Sequence, residues 1–310
     1  MNKISLAIHG GAGNIQKGSL SAEKEALYQE ALQTALDIGY KALEEGKSAI
    51  DAVELAVISM EDCDLFNAGR GSVYTAYGDH ELDAAIMDGS DLNAGAITLV
   101  SQIRNPVHLA RLVMEKSDHV FLGGQRVKGF AREMGLELEA VSWFHDEYRY
   151  KQWQKLRGTN AYQMDNTQYG DEKFGTVGAV ALDQHGNLAS ATSTGGMTNK
   201  HFGRIGDSPM IGAGTYANNN TCAISCTGHG EFFIRGLAAY DVSALMEYKG
   251  LSLADAANEV INNRIKAIGG EGGLIGVDAE GNIAMPFNTS GMYRAFRKSD
   301  GSQEIGIYGS

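Results

Sequence analysis

Gly175-Thr176 opens the run GTVGAVALDQHGNLASATSTGG and sets a threonine directly after a glycine at the mouth of a hairpin. Glycine leaves its carbonyl open to attack and tolerates strained dihedrals. The Thr176 hydroxyl can attack the Gly175 carbonyl, shift the acyl group from nitrogen to oxygen, and leave an ester that water hydrolyses. Such a cut frees the α-amino group of Thr176. With a reference pKa of about 7.7–8.0, a useful fraction of that amine is unprotonated near neutral pH. An amine on the same residue as the hydroxyl then serves as its general base, with no added histidine.

The hairpin has to position these groups. Asp183-Gln184-His185-Gly186-Asn187 fits a three-residue loop, a type I turn followed by glycine in the left-handed region. Asp183 then faces Asn187, paired residue numbers sum to 370, and Thr176 lies opposite Thr194 with Cβ atoms about 5 Å apart. Thr192 shares the face of Thr194. Cross-strand threonine pairs also occur because they stabilise a sheet. What distinguishes this pair is the junction Phe174-Gly175-Thr176. It ends a stretch, residues 158–175, that contains no Leu, Ile or Val and reads as a linker.

On either side of that linker the pattern predicts a helix-rich front part and a strand-first rear part. Ile4–Ile8 reads as a buried strand, followed by helices from the N-cap Ser21 to about Glu45 and from the Ser48–Asp51 capping box to about Glu61. Strands are expected around Ala84–Met87, Ala96–Val100 and Val120–Leu122. Helices are expected from Asn105-Pro106 and over Gln125–Met134, and the aromatic cluster Trp143–Trp153 reads as an amphipathic helix. In the rear part, strands near Met210–Ile211 and Thr221–Ser225 precede helices over Glu231–Tyr248 and Ser252–Ala267. A second hairpin, GGLIGVDAEGNIAMPFNTSGM, echoes the first: Asp278, Gly281, Asn282, Thr289 and Met292 match Asp183, Gly186, Asn187, Thr194 and Met197. Reuse of a good turn or an ancient duplication both account for the echo. Elements grouped in blocks favour antiparallel sheets covered by helices.

Composition narrows the partners. At 310 residues the chain forms one large domain or two small ones, and a formal net charge of −12 argues against nucleic acid or an anionic membrane. No stretch has the length of a membrane span, and MNKISLAIHGGAG is too short an apolar run for a secretory segment. Three cysteines, Cys63, Cys222 and Cys226, do not make a disulfide framework, so a cytoplasmic protein with free thiols is expected. Forty glycines against three prolines punctuate the apolar segments without a collagen period.

Seven motifs in order extend the reading: HGGAG at 9–13, LFNAG at 65–69, GTVGAVALD at 175–183, STGGMTNK at 193–200, GRIGDSP at 203–209, CTGHGE at 226–231 and PFNTSGM at 286–292. Through nearly its whole length the chain resembles the plant-type (type III) asparaginases/isoaspartyl peptidases, within the N-terminal nucleophile hydrolases. The resemblance implies an α+β fold, a four-layer αββα sandwich of two antiparallel sheets flanked by helices. It implies a precursor split between Gly175 and Thr176 into an α subunit (1–175) and a β subunit (176–310), paired as a dimer of αβ units. Carried over residue by residue, Thr176 is the nucleophile and Thr194 the threonine that hydrogen-bonds it. Arg204 and Asp207 anchor the substrate's α-carboxylate and α-ammonium, a task suited to a guanidinium fork and a carboxylate. Thr227 and Gly228 form the oxyanion hole, Gly230 makes a backbone contact to substrate, and Asn67 has a positional role. The backbone carbonyls of Met60, Glu61, Cys63, Phe66, Ala68 and Arg70 match a sodium-binding loop, with Arg70 departing from the apolar residue expected there.

The implied activity is hydrolysis of β-aspartyl dipeptides and L-asparagine through a β-aspartyl ester on Thr176, with no redox or organic cofactor. Two rivals share the scaffold: an aspartylglucosaminidase-like amidase, and an amino-acid-binding protein that is never cut. Other signals lead elsewhere less well. Gly212–Ala217 fits a loose dinucleotide fingerprint but is followed by Asn218–Asn220 and a strand where a helix is required. HGGAG has no G-x-S-x-G elbow to serve, and the eight histidines lack zinc-ligand spacing. His229 either lines the site or has a simple packing or surface role.

Overall fold

A computed structural model describes residues 3–159, 161 and 175–309. Strand β1 (Ser5–Gly13) leads to helix α1 (Ala22–Glu44), whose N-cap Ser21 accepts the Lys24 N–H. Helix α2 (Ala49–Glu61) opens on the expected capping box of Ser48 and Asp51. Strands β2 (Leu82–Asp88) and β3 (Ala94–Val100) precede α3 (Pro106–Lys116). Asn105 makes no side-chain cap for α3; the Glu61 carboxyl, reaching from the end of α2, accepts the Val107 N–H at 3.0 Å. Strand β4 (Phe121–Gly123) and helices α4 (Val127–Glu133) and α5 (Glu147–Leu156) complete the front part.

The rear part runs β5 (Val177–Leu182), β6 (Leu188–Thr194), β7 (Thr215–Ala217) and β8 (Cys222–Gly228), then α6 (Gly230–Gly236), α7 (Ala238–Lys249) and α8 (Leu253–Asn258). It ends with β9 (Gly272–Asp278), β10 (Ile283–Ala284), β11 (Gly291–Lys298) and β12 (Gln303–Tyr308). One sheet has the order β12-β11-β1-β5-β6-β2-β3-β4 and the other β10-β9-β8-β7. Every pairing is antiparallel except β3 with β4.

Alternation along the strands sorts the side chains into layers. Leu6, Ile8, Ala179, Ala181, Ala189 and Ala191 face α1, α2 and α3. Ile224, Cys222 and Cys226 of β8 face α7, α8 and the helical residues after them. Val180, Leu182, Leu188, Ala223, Ile275 and Val277 fill the space between the sheets. The architecture is therefore the expected αββα sandwich. The inter-sheet layer changes character along its length. Apolar at one end, it is lined at the other by buried His9, Thr192, Thr194, Ser225 and Thr227.

Some expected elements differ. The helix over Glu231–Tyr248 is broken at Leu237, which adopts φ 46° and ψ 48°. The break is tertiary in origin: the Ala239 and Tyr240 N–H groups bond to the Ala213 and Gly212 carbonyls rather than within one helix. Met210–Ile211 forms no strand, only a bridge from Ile211 to Thr215. The helix to Ala267 contains a π-helical stretch, Glu259–Ile265. The Asp278 turn repeats the Asp183 turn bond for bond, each Oδ1 accepting two N–H groups of its own loop. Its return strand β10 has only two residues before the chain crosses to the other sheet as β11. Of the aromatic cluster, only the part within 147–156 is α-helical, while Trp143 lies in a 3-10 turn, Val141–Phe144. Trp143 is held between the guanidinium groups of Arg70 and Arg104 at 4.9 and 4.6 Å from its ring. Apart from Gly158, Thr159, Ala161 and Gly175, the expected linker lies outside the described residues.

Candidate active site

The β5–β6 ladder has the register the turn dictates, from Leu182↔Leu188 to Val177↔Ser193, every pair summing to 370. Thr176 is one residue beyond its last pair, at a strand mouth on the inter-sheet face. Thr176, Thr194, Gly175, Arg204, Asp207, Thr227, Gly228 and Asn67 all line one cleft, with Ala12, Gly196, Met197, Gly206 and Ser208. Residues as far apart in the chain as Ala12 and Gly228 are thus brought to one cleft.

The expected hydrogen bond between Thr176 and Thr194 takes a different form. The Thr176 hydroxyl lies 3.4 Å from that of Ser208, while Thr194 Oγ1 accepts the Gly196 N–H at 3.0 Å. The ladder stops at Val177↔Ser193, one residue before the Thr176–Thr194 pair would form. Thr194 turns the chain at Gly195-Gly196, and Asn67 holds that turn from outside. Asn67 Nδ2 donates to the Gly196 carbonyl at 2.7 Å, its Oδ1 accepts the Val73 N–H at 3.0 Å, and its carbonyl accepts the Gly195 N–H.

Thr227 and Gly228 end β8 directly across from the Gly175–Thr176 junction. A Cβ built on Gly175 would stand 3.8 Å from Thr227 Oγ1, so this buried hydroxyl faces Gly175. Gly228, at φ 149°, packs against β9 so closely that a Cβ would meet the Glu271 carbonyl at 2.4 Å. Only glycine brings the N–H here.

Arg204 and Asp207 sit on either side of Gly230, where a Cβ would be 2.9 Å from Arg204 Nη2 and 2.9 Å from Asp207 Oδ1. The missing side chain opens the space between guanidinium and carboxyl. Asp207 is buried and its Oδ2 has no partner among the described residues. Burial pushes its carboxyl up to about 7, opposed by the charge of Arg204. Arg204 is itself gripped by Glu231: Nε donates to Oε1 at 2.8 Å and Nη2 to Oε2 at 2.9 Å. Burial works against the charge on Glu231, but these bonds prevail and hold its carboxyl below the usual range. His229 is half-buried against Phe232 and does not line the cleft.

The loop at 60–70 folds back on itself around Gly69-Arg70-Gly71. A Cβ on Gly69 would lie 2.5 Å from the Glu61 carbonyl oxygen, and one on Gly71 would lie 2.1 and 2.7 Å from those of Phe66 and Asp64. The two glycines let the chain pass close to the Glu61, Phe66 and Asp64 carbonyls, while the Met60 and Ala68 carbonyls accept the Cys63 and Gly71 N–H groups. The Arg70 side chain stacks on Trp143, which leaves its carbonyl free of its own charge.

Three residues at the site, Ser208, Glu231 and His9, fall within GRIGDSP, CTGHGE and HGGAG, yet nothing in their types assigned them a task. His9 Nδ1 lies 3.0 Å from the Thr176 carbonyl oxygen.

A threonine hydroxyl directly after a glycine, at the mouth of a central strand and buried between the sheets of an αββα sandwich, is the arrangement of an N-terminal nucleophile hydrolase scaffold. The family model described as asparaginase matches residues 2–307, and the chain belongs to that family. The chain is 52% identical to the isoaspartyl peptidase of Escherichia coli (strain K12) over 99% of its own length and 97% of that protein's. It is 53% identical to the isoaspartyl peptidase of Salmonella typhimurium, covering 99% of each chain. It is 43% identical to the isoaspartyl peptidase/L-asparaginase of Homo sapiens, covering 99% of this chain and 96% of that one. Among the described residues, no helix is long and apolar enough to cross a membrane.

Proposed function

We propose that the chain is an autoprocessing threonine amidohydrolase acting on β-aspartyl dipeptides and L-asparagine. The observation that carries this reading is the shared cleft of Gly175-Thr176, Thr227-Gly228 and the Arg204/Asp207 pair. It joins a concealed amine and hydroxyl, an oxyanion hole and an amino-acid anchor.

Maturation comes first. Thr176 Oγ attacks the Gly175 carbonyl carbon, the C–N bond breaks, and the departing nitrogen takes up the proton. Water then hydrolyses the ester, leaving a Gly175 carboxylate and Thr176 with a free amine and hydroxyl. Residues 1–175 become the α chain and 176–310 the β chain.

In turnover, the edge of the Arg204 fork not taken by Glu231, Nη1 and the second hydrogen of Nη2, binds the substrate α-carboxylate. Asp207 takes the α-ammonium, and Gly230 leaves room for both. The Thr176 amine accepts the hydroxyl proton as Oγ attacks the side-chain carbonyl carbon. Thr227 Oγ1 and the Gly228 N–H stabilise the oxyanion, a contribution of roughly 3 kcal/mol per donor in comparable sites. Collapse breaks the C–N bond, and the leaving ammonia or amino acid carries off the proton. Water, deprotonated by the same amine, then releases aspartate from the ester. Thr194 and Asn67 position the turn that backs the nucleophile.

The carbonyls of Met60, Glu61, Cys63, Phe66, Ala68 and Arg70 would hold a sodium ion. Its positive charge would offset the dipoles crowded at that turn. We also propose a dimer of αβ units working in the cytoplasm, a reducing compartment that suits buried thiols such as Cys222 and Cys226. The deciding experiment is mass spectrometry with an activity assay. Purified protein should contain a fragment beginning at Thr176 and should release aspartate from a β-aspartyl dipeptide. A single uncut chain that binds amino acids without hydrolysis would overturn the reading.

A further inference from the structure

The ladder between β1 and β5 ends at His9↔Gly178. The Thr176 carbonyl, just before β5, lies beyond that ladder and has no backbone donor from β1 among the described residues. The His9 ring supplies one: Nδ1 lies 3.0 Å from the Thr176 oxygen and Nε2 lies 2.9 Å from Ser225 Oγ. A carbonyl oxygen only accepts, so Nδ1 must carry a proton. The ring is fully buried, and burial pushes its pKa down to about 3, which keeps it neutral. Nε2 is then an acceptor, and the Ser225 hydroxyl must donate to it.

The assignment propagates. Ser225 has spent its proton on His9, so Thr192 Oγ1 donates to Ser225 at 2.7 Å in preference to the Gly214 carbonyl at 3.3 Å. Thr215 Oγ1, 2.7 Å from Thr192 Oγ1, is then the donor into Thr192. Thr215 Oγ1 also lies 3.0 Å from the carbonyl of Ser208, whose hydroxyl meets that of Thr176. One end of this buried chain holds the Thr176 carbonyl, and the other packs on the residue beside its hydroxyl. A second observation comes from Gly178. A Cβ there would lie 2.0 Å from Ser225 Oγ and 2.4 Å from His9 Nε2. The glycine leaves the space through which the His9–Ser225 bond passes.

We propose that His9 is a positioning residue for the nucleophile, its Nδ1–H form set by the Thr176 carbonyl and matched at Nε2 by the hydroxyl chain Ser225–Thr192–Thr215. The cut leaves Thr176 attached to the fold only through its own carbonyl side. Pinning that carbonyl fixes the direction of the amine and the hydroxyl, which are both needed at one carbon. The inference rests on Thr176 being the nucleophile.

The test compares wild type with His9→Phe, which keeps the ring and loses both bonds, and His9→Asn, which restores a donor near the Nδ1 position. In ¹⁵N-histidine spectra of the wild-type protein, His9 should carry its proton on Nδ1 throughout pH 5–8. His9→Phe should lengthen the half-time of self-cleavage at least ten-fold. On its cleaved fraction, kcat for a β-aspartyl dipeptide should fall at least ten-fold with KM within two-fold, and His9→Asn should recover at least a third of the loss. Ser225→Ala serves if His9→Phe fails to fold: kcat should drop at least three-fold and the Nε2 resonance should move. A proton on Nε2, or kcat within two-fold of wild type in whichever of His9→Phe and Ser225→Ala folds, would overturn the proposal. If wild type cleaves itself but hydrolyses no β-aspartyl substrate, the assigned activity fails, while the tautomer and cleavage rates still decide the role of His9.

Discussion

The guanidinium of Arg204 and the carboxylate of Glu231 form a two-bond fork at 2.8 and 2.9 Å, so the residue assigned to the substrate carboxylate is aimed before any substrate arrives. The pair is partly exposed, with Glu231 half-accessible, so its energetic weight is modest. Glu231→Gln should raise KM about five-fold, near 1 kcal/mol, with kcat close to wild type. Steady-state kinetics with L-asparagine reads this directly; an equal loss in kcat would mean that Glu231 acts on the reacting bond instead.

Thr176 carries both the cut and the turnover in this scheme. Thr176→Ala should remain one chain of about 33.1 kDa by mass spectrometry and lack activity. Thr176→Ser keeps a hydroxyl and a future amine, so it should cleave and turn over at a reduced rate. An alanine variant that still yields a fragment beginning at residue 176 would place the attacking group elsewhere.

Asp207 sets a pH dependence. Burial raises its carboxyl to about 7, so its charged form is lost as the pH falls below that value. A substrate ammonium needs the charged form, and KM should climb as the pH goes from 8 to 6. In Asp207→Asn, KM should be high and nearly flat over the same range. Stability runs the other way. A folded pKa above the reference value of 3.8 means the folded state binds this proton more tightly. That contribution is complete below about pH 4 and is lost as the pH rises through about 7. Urea titrations of both proteins at pH 5 and 8 check the sign.

Gly195 has no room for a methyl group: a Cβ would stand 2.5 Å from Asn67 Oδ1 and 2.7 Å from Ser72 Cβ. Gly195→Ala should cost roughly 1–3 kcal/mol by overpacking and displace Thr194. Thermal melts should register the first effect and kcat the second. Wild-type values for both would mean the turn yields without cost.

The carbonyl-lined loop at 60–70 predicts a cation-specific gain in stability. Exchanging sodium chloride for choline chloride at equal ionic strength should lower Tm by several degrees, and a site filled at 100 times its Kd is worth about 2.7 kcal/mol. Calorimetry in matched buffers measures it, and identical melts in both salts would remove sodium from the scheme.

Much of this arrangement was readable from residue order because it depends on local rules. Turn chemistry at Asp183–Asn187 set the β5–β6 register, and serine caps set the starts of α1 and α2. Position-by-position resemblance named Arg204, Asp207 and Thr227, which line the same cleft as Thr176. What escaped depends on contacts between distant segments. The break at Leu237 follows from bonds to the loop at 212–214, and no proline marks it. Ser208, not Thr194, meets the Thr176 hydroxyl because the ladder ends one residue early. Glu231 read as one more acidic residue in a first helical turn. Its role appears only once the loop carrying Arg204 is folded over it.

The arginine-flanked indole at Trp143 has a practical bearing. The chain has two tryptophans, and both precede the Gly175–Thr176 junction. Tryptophan-selective emission therefore watches the front segment alone, and Trp143 stacks on Arg70 of the very loop that would hold a cation. Its emission is a ready optical gauge of ion loading there, whereas loosening of α7 or α8 would pass unseen without a label placed in the rear segment.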